Sequence, residues 1–287
     1  ASAVPDGFAV AGSAAAGLAV APILALAAIA AGGSGDLWSH LFTTVVPSAT
    51  VETTLLALGV AAFVIVVGTA TAWLVAAHDF PGRGLLEVAL LLPLAFPAYV
   101  LAYSWLDLLH PIGPIQSAIR ALLGYTRPAD FRLPDPRSLP GAVLVFGLAL
   151  YPYVYVAVRT VFLSQMTRLT EAARMLGADG RGVFVRVALP LARPAIAAGA
   201  ALAIMETLND VGAAEFLSIN TLTAAVYSTW VNRSDLAGAA QIALVMLAFV
   251  LSLLMIEKLA RGNRGYAVIG RSMRPMALGA YSAAAAT

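Results

Sequence analysis

Apolar residues run along this chain in long blocks, and polar residues gather between the blocks rather than recurring within them. A helix with one wet face would show a stripe at i, i+3, i+4 and i+7. These blocks are apolar all round, which predicts membrane spans. Six are long enough to read so: about Phe8–Ala31, Thr54–Ala77, Leu85–Leu109, Leu139–Leu163, a fifth starting near Pro194 and running past Met205 into a polar stretch, and Ala239–Ile256. Most approach or exceed the roughly 20 residues that cross a hydrocarbon layer at about 1.5 Å rise each. A helix is the expected form, because it satisfies its own backbone polar groups where lipid cannot. Pro93 and Pro97 fall inside the third block and remove helix hydrogen bonds, so a kink or break is predicted there. The expected fold class is all-α, a polytopic membrane protein with six transmembrane helices.

Composition agrees. Of 287 residues, 61% are hydrophobic and 11% charged, with mean hydropathy +0.87. A soluble domain carries roughly 25% charged residues. The chain has no cysteine, which excludes disulfides and Cys-ligated metal clusters. Residues 1–7 carry no positive charge and the first block is too long for a signal-peptide core, so it reads as a retained span.

Placement of charge sets the orientation. With the segment between the fourth and fifth blocks inside, 12 of the 17 basic residues lie on the inner side, and Arg120, Arg127, Arg132, Arg137 and Arg233 lie outside. The positive-inside rule then predicts both termini in the cytoplasm. A long external loop, about Pro111–Ser138, is rich in proline and charge; a second, about Ser218–Leu236, reads as interfacial or re-entrant. The expected organisation is one six-span domain over 1–260 and a basic, Ala-rich tail over 261–287.

One polar segment differs from an ordinary connector. Residues 171–190 read Glu-Ala-Ala, three residues, Gly, nine residues, an aliphatic, one residue, Leu-Pro; the fixed positions are Glu171, Ala172, Ala173, Gly177, Val187, Leu189 and Pro190. Ser164–Leu176 is expected to be a cytoplasmic helix, with Thr170 able to cap a turn that starts at Glu171. Gly177 reverses the chain, and a second short helix, about Gly180–Leu189, is expected to end at Pro190. Two short helices about a glycine make a knob, with Met175, Leu176, Val183 and Phe184 supplying apolar surface and Arg174, Arg181 and Arg186 supplying charge.

This spacing resembles the EAA loop of the membrane subunits of ABC importers, here within residues 164–193. The run Tyr151-Pro152-Tyr153-Val154-Tyr155, the stretch Glu206–Phe216, Thr221 and Tyr227–Trp230 extend the likeness toward the permeases of ferric-iron importers, over about residues 85–260. The resemblance implies a type I-like permease core in the cell inner membrane. It implies a coupling role for the seven motif residues, ABC ATPase subunits that carry the ATP and Mg, a periplasmic substrate-binding protein, and a second permease half, identical or different. Ferric iron is the cargo it implies first. Thiamine, sulfate, molybdate and polyamine permeases share the loop and the six-span core, and remain as alternatives. No cofactor on this chain itself and no nucleic-acid partner are expected.

Glu206, Asn209 and Asp210 follow an apolar run near the end of the fifth block. Ionisable groups at membrane depth are costly and usually line a cavity or pair with something. They are the candidate pathway or gate residues, against the plainer reading of polar contacts between helices. Tyr99, Tyr103, Tyr151, Tyr153 and Tyr155 read as interfacial packing before iron ligands. His40, His78 and His110 stand in separate loops without metal-ligand spacing. No P-loop and no G-x-S-x-G element is present, so a transport subunit is expected rather than an enzyme. Gly12, Gly17 and Gly199 are expected to permit close helix packing. A gradient-driven secondary transporter is the competing class; it should show an internal repeat, and none is evident.

Overall fold

The computed structural model describes residues 6–33, 35, 37–175 and 179–261. Among them every regular element is helical. In chain order these are α1 (Asp6–Ala31), α2 (Leu37–His40), α3 (Val46–Ala77), α4 (Arg83–Ala89), α5 (Ala98–Leu108) and α6 (Pro114–Leu123). Then come α7 (Leu139–Met175), α8 (Gly180–Val183), α9 (Leu189–Asn209), α10 (Val211–Phe216), α11 (Leu222–Val231) and α12 (Leu236–Arg261). Among the described residues five helices are long and apolar enough to cross a membrane, and a sixth span results if Arg83–Ala95 and Ala98–Leu108 are taken as one broken crossing.

The chain divides into two compact units, residues 1–246 and 247–287. The described part of the second is helical to Arg261; the tail expected over 261–287 otherwise lies outside the described residues. The first unit is built around α7, which packs against α3, α5 and α9. From α3 come Val60, Val64, Ala72 and Val75; from α7, Phe146, Val154, Tyr155 and Val158; from α9, Ala192, Ala200 and Ala203, all buried. The opposite face of α3 exposes Leu55, Leu58 and Val66, which suits a helix with protein on one side and lipid on the other.

Glycines set the separations. A methyl group on Gly59 would stand 2.6 Å from Val143 Cγ2, and one on Gly68 would stand 2.7 Å from Val154 Cβ. Gly147 meets the Phe63 ring in the same way. Backbones approach this closely only where small residues face the neighbour. Gly199 behaves as expected. Gly12 and Gly17 do not: nothing lies within 4 Å of where a side chain would be, and α1 is almost entirely exposed.

Two spans are longer than the sequence predicts. The second begins well before Thr54, since the apolar span covers Trp38–Ala77. Its first turns are rich in Thr and Ser, which read as loop. Several hydroxyls instead return to a carbonyl one turn back: Thr43 to Ser39 at 2.7 Å, Thr50 to Val46 at 2.7 Å, Thr53 to Ala49 at 2.6 Å. The fifth span covers Gly180–Asn209, not a start near Pro194. Both contain a π-helical turn just before a proline: Leu41–Val45 before Pro47, and Phe184–Ala188 before Pro190. Proline offers no N–H and crowds the carbonyl four residues back. A wider turn at that place lets the helix continue.

The loop between α5 and α7 holds α6, whose Gln116 and Arg120 are buried. Gln116 organises the loop: its Nε2 donates to the Leu109 carbonyl at 2.6 Å and its Oε1 accepts from the Leu133 N–H at 3.0 Å.

Candidate functional site

Two regions carry the candidate residues. The first is the motif segment. Helix α7 runs unbroken from Leu139 to Met175, so Glu171, Ala172 and Ala173 lie on the continuation of a membrane span. The separate helix with a cap at Thr170 is not formed; Thr170 is interior to α7. Ala, Met and Arg in 171–175 are strong helix formers and nothing between Ser164 and Thr170 stops the turn. Gly177 lies outside the described residues.

The return segment starts at Asp179. Its extended backbone and its carboxylate, which accepts the Gly182 N–H at 2.8 Å, cap α8. The second short helix expected to end at Pro190 instead passes through the π turn into α9. Val187, Leu189 and Pro190 are half-buried, whereas Arg181, Val185 and Arg186 are exposed. Phe184 is held by Trp73 at a ring separation of 5.0 Å, and Trp73 meets Phe162 edge-on at 5.6 Å. The segment is thus clamped to α3 and α7 on one side and presents a basic and apolar surface on the other.

The second region is the break in the third span. Arg83–Ala95 and Ala98–Leu108 meet at 102°. Phe96 is extended, as a residue before proline prefers, and Pro97 starts α5. An open cleft of about 410 Å³ lies at this corner. Pro93–Ala98 form one wall; Ala149, Leu150 and Tyr153 of α7 and Glu206 and Asp210 at the end of α9 complete it.

Of the predicted gate residues, Glu206 and Asp210 line the cleft. Asn209 is exposed at the end of α9 and does not line it. Glu206 interacts with the Tyr153 side chain. Asp210 has a structural task as well: its Oδ1 accepts the Ala213 N–H at 2.8 Å and caps α10. Tyr151 and Tyr155 are buried in the core and serve packing, whereas Tyr99 and Tyr103 are exposed. Among the described residues no three His, Asp or Glu side chains converge as a metal site.

Sequence reasoning missed three features: the Asp179 cap, the Trp73–Phe184 clamp, and an ion pair of 2.8 Å between Arg159 on α7 and Glu87 on α4. An Asp ahead of a Gly-rich helix start is a readable cap signal. The other two join residues far apart in sequence and leave no local pattern.

Residues 65–261 match the family described as the inner membrane component of binding-protein-dependent transport systems. The chain belongs to this family. It is 32% identical over 200 residues to the molybdenum transport system permease protein ModB of Escherichia coli (strain K12), covering 67% of this chain and 84% of that one. It is 27% identical over 243 residues to a Salmonella paratyphi A protein named as a 2-aminoethylphosphonate transport system permease, PhnU, covering 82% and 83%. The fold is similar to a chain in the crystal structure of a bacterial ABC transporter that imports alginate. That match has a TM-score of 0.69 at 15% identity and covers 83% of this chain and 87% of that one. The chain is accordingly an all-helical, multi-pass inner-membrane permease component of the ABC importer type.

Proposed function

We propose that this chain is one membrane half of an ATP-driven importer, paired with a second half, and that residues 171–190 dock it to an ATPase subunit. The observation that carries this reading is continuity. Glu171–Ala173 sit at the end of the helix that forms the centre of the fold, and the return segment flows without interruption into α9. A push on the segment is therefore a push on two core spans. ATP and Mg belong to the partner subunits, and a loaded binding protein delivers cargo from the outer side. Both termini then face the cytoplasm.

For cargo we propose a small oxyanion, with molybdate first. The support is the likeness to ModB at 32% identity and to a protein named for a phosphonate. Ferric iron, the cargo implied by residues 151–155 and 206–216, becomes the second reading. One observation favours it: the cleft is acidic, with Glu206 and Asp210 on its wall. Against it, Asp210 is engaged as a helix cap and Glu206 faces Tyr153, so neither carboxylate is positioned chiefly to attract a cation.

Copurification tests the docking role. The intact chain should retain its ATPase subunit through detergent extraction, and Glu171→Lys should lower the fraction retained while inserting normally. Retention undiminished in Glu171→Lys, together with full transport, would remove the segment from the interface.

A further inference from the structure

The cleft and the motif segment lie at different levels of α7, and a polar link ties the broken span to the helix between them. Arg159 falls inside the apolar span Leu139–Ser164. Its Nη2 donates to Glu87 Oε2 at 2.8 Å, and the two side chains are only 30% and 27% exposed. Arg83 Nε donates to the other oxygen of Glu87 at 3.3 Å and also pairs with Asp79. The phenol of Tyr155, a buried residue of α7, reaches the Glu87 carbonyl at 3.5 Å. Arg159 Nε is buried and has no hydrogen-bond partner among the described residues. Taking two charges largely out of water is costly, and such a pair is weak ground for stability.

From Arg159 to Tyr153, α7 advances about 9 Å, at about 1.5 Å per residue. From Glu87 the chain after α4 reaches Pro93 over the same number of residues, and Tyr153 and Pro93 both line the cleft. Two rails thus share the ion pair at one level and enclose the cleft at another. In the other direction α7 continues to Met175 without a described break.

We propose that Glu87 and Arg159 are a positioning pair: the strut through which α7 carries the Pro93–Pro97 break with it, so that displacement of the motif segment opens or closes the cleft at Tyr153, Glu206 and Asp210. This rests on the coupling role proposed above for residues 171–190. Without the strut, α7 moves and the broken span stays behind.

The chain has no cysteine, so Leu94→Cys places a single thiol on the cleft wall. Its reaction rate with a water-soluble maleimide is measured in the assembled transporter in proteoliposomes, at rest and after trapping with ATP and vanadate. No cargo is needed. In Leu94→Cys alone, trapping should change the rate by about tenfold, as when a state populated at ~10% becomes dominant. Adding Arg159→Gln should abolish that change while ATP hydrolysis persists. An undiminished change in the Arg159→Gln background overturns the strut and leaves the coupling role standing. No change in Leu94→Cys itself overturns both. If Arg159→Gln does not assemble, Glu87→Gln decides: a lost response supports the strut, and a full one overturns it.

Discussion

Gly199 of α9 lies so close to Val154 of α7 that a methyl group on it would stand 2.7 Å from the Val154 Cα. Gly68 of α3 approaches the same residue from another helix, at 2.7 Å from Val154 Cβ and 2.9 Å from the Tyr151 carbonyl oxygen. The central helix is therefore gripped at one level by two glycines. Gly199→Val must push backbone from backbone, and should cost about 1–3 kcal/mol. Gly17→Ala has open space and should be neutral or stabilising by up to ~1 kcal/mol. Thermal unfolding of the detergent-solubilised protein separates the two. Equal effects would mean that the close approach is not the constraint.

Asp210 offers a way to separate charge from capping. Asp210→Ala removes the acceptor for the Ala213 N–H and should destabilise α10 by about 1 kcal/mol. Asp210→Asn keeps an acceptor and removes the charge. Under the oxyanion reading, Asp210→Asn should transport nearly as well as the parent, while Asp210→Ala falls. A loss of equal size in both variants would show that the charge itself is needed and would favour a cationic cargo.

The segment after α10 is anchored to α3 by two side chains. Glu52 Oε2 accepts the Asn220 N–H at 2.8 Å, and the buried Thr53 Oγ1 accepts the Leu222 N–H at 2.9 Å. Thr53→Val keeps the volume and leaves that N–H without its acceptor, a cost of about 1–3 kcal/mol. Hydrogen exchange should accelerate at residues 220–225 and not in α7. Uniform acceleration across the chain would contradict a local anchor.

The motif segment should behave as a coupling element. Glu171→Lys and Gly177→Pro are expected to leave the spans inserted and to lower sharply the cargo moved per ATP hydrolysed. Paired transport and hydrolysis assays give the ratio. Full coupling in either variant would contradict the role.

How far the sequence exposed this design differs by element. The spans were readable because apolar blocks need no tertiary context, and the break was readable because Pro93 and Pro97 act locally. The helix faces were not. Both sides of α3 are apolar, so no periodicity separates Val60, which is buried, from Leu58, which faces outward. The start of the second span was hidden by Thr and Ser that bond back to their own helix. Pro190 reads as a stop, yet the π turn at Phe184–Ala188 absorbs it. The motif spacing pointed to residues 171–190, but the clamp by Trp73 and the Glu87–Arg159 pair arise only when α3, α4 and α7 come together.

The most direct measurement is ATP hydrolysis by the assembled transporter in proteoliposomes, with the cognate binding protein supplied empty, loaded with molybdate or loaded with ferric iron. The account predicts stimulation by the molybdate-loaded protein well above that by the empty one. Stimulation by the iron-loaded protein alone would contradict the proposed cargo. Hydrolysis indifferent to this chain and to any loaded binding protein would contradict its role as the membrane half of an importer.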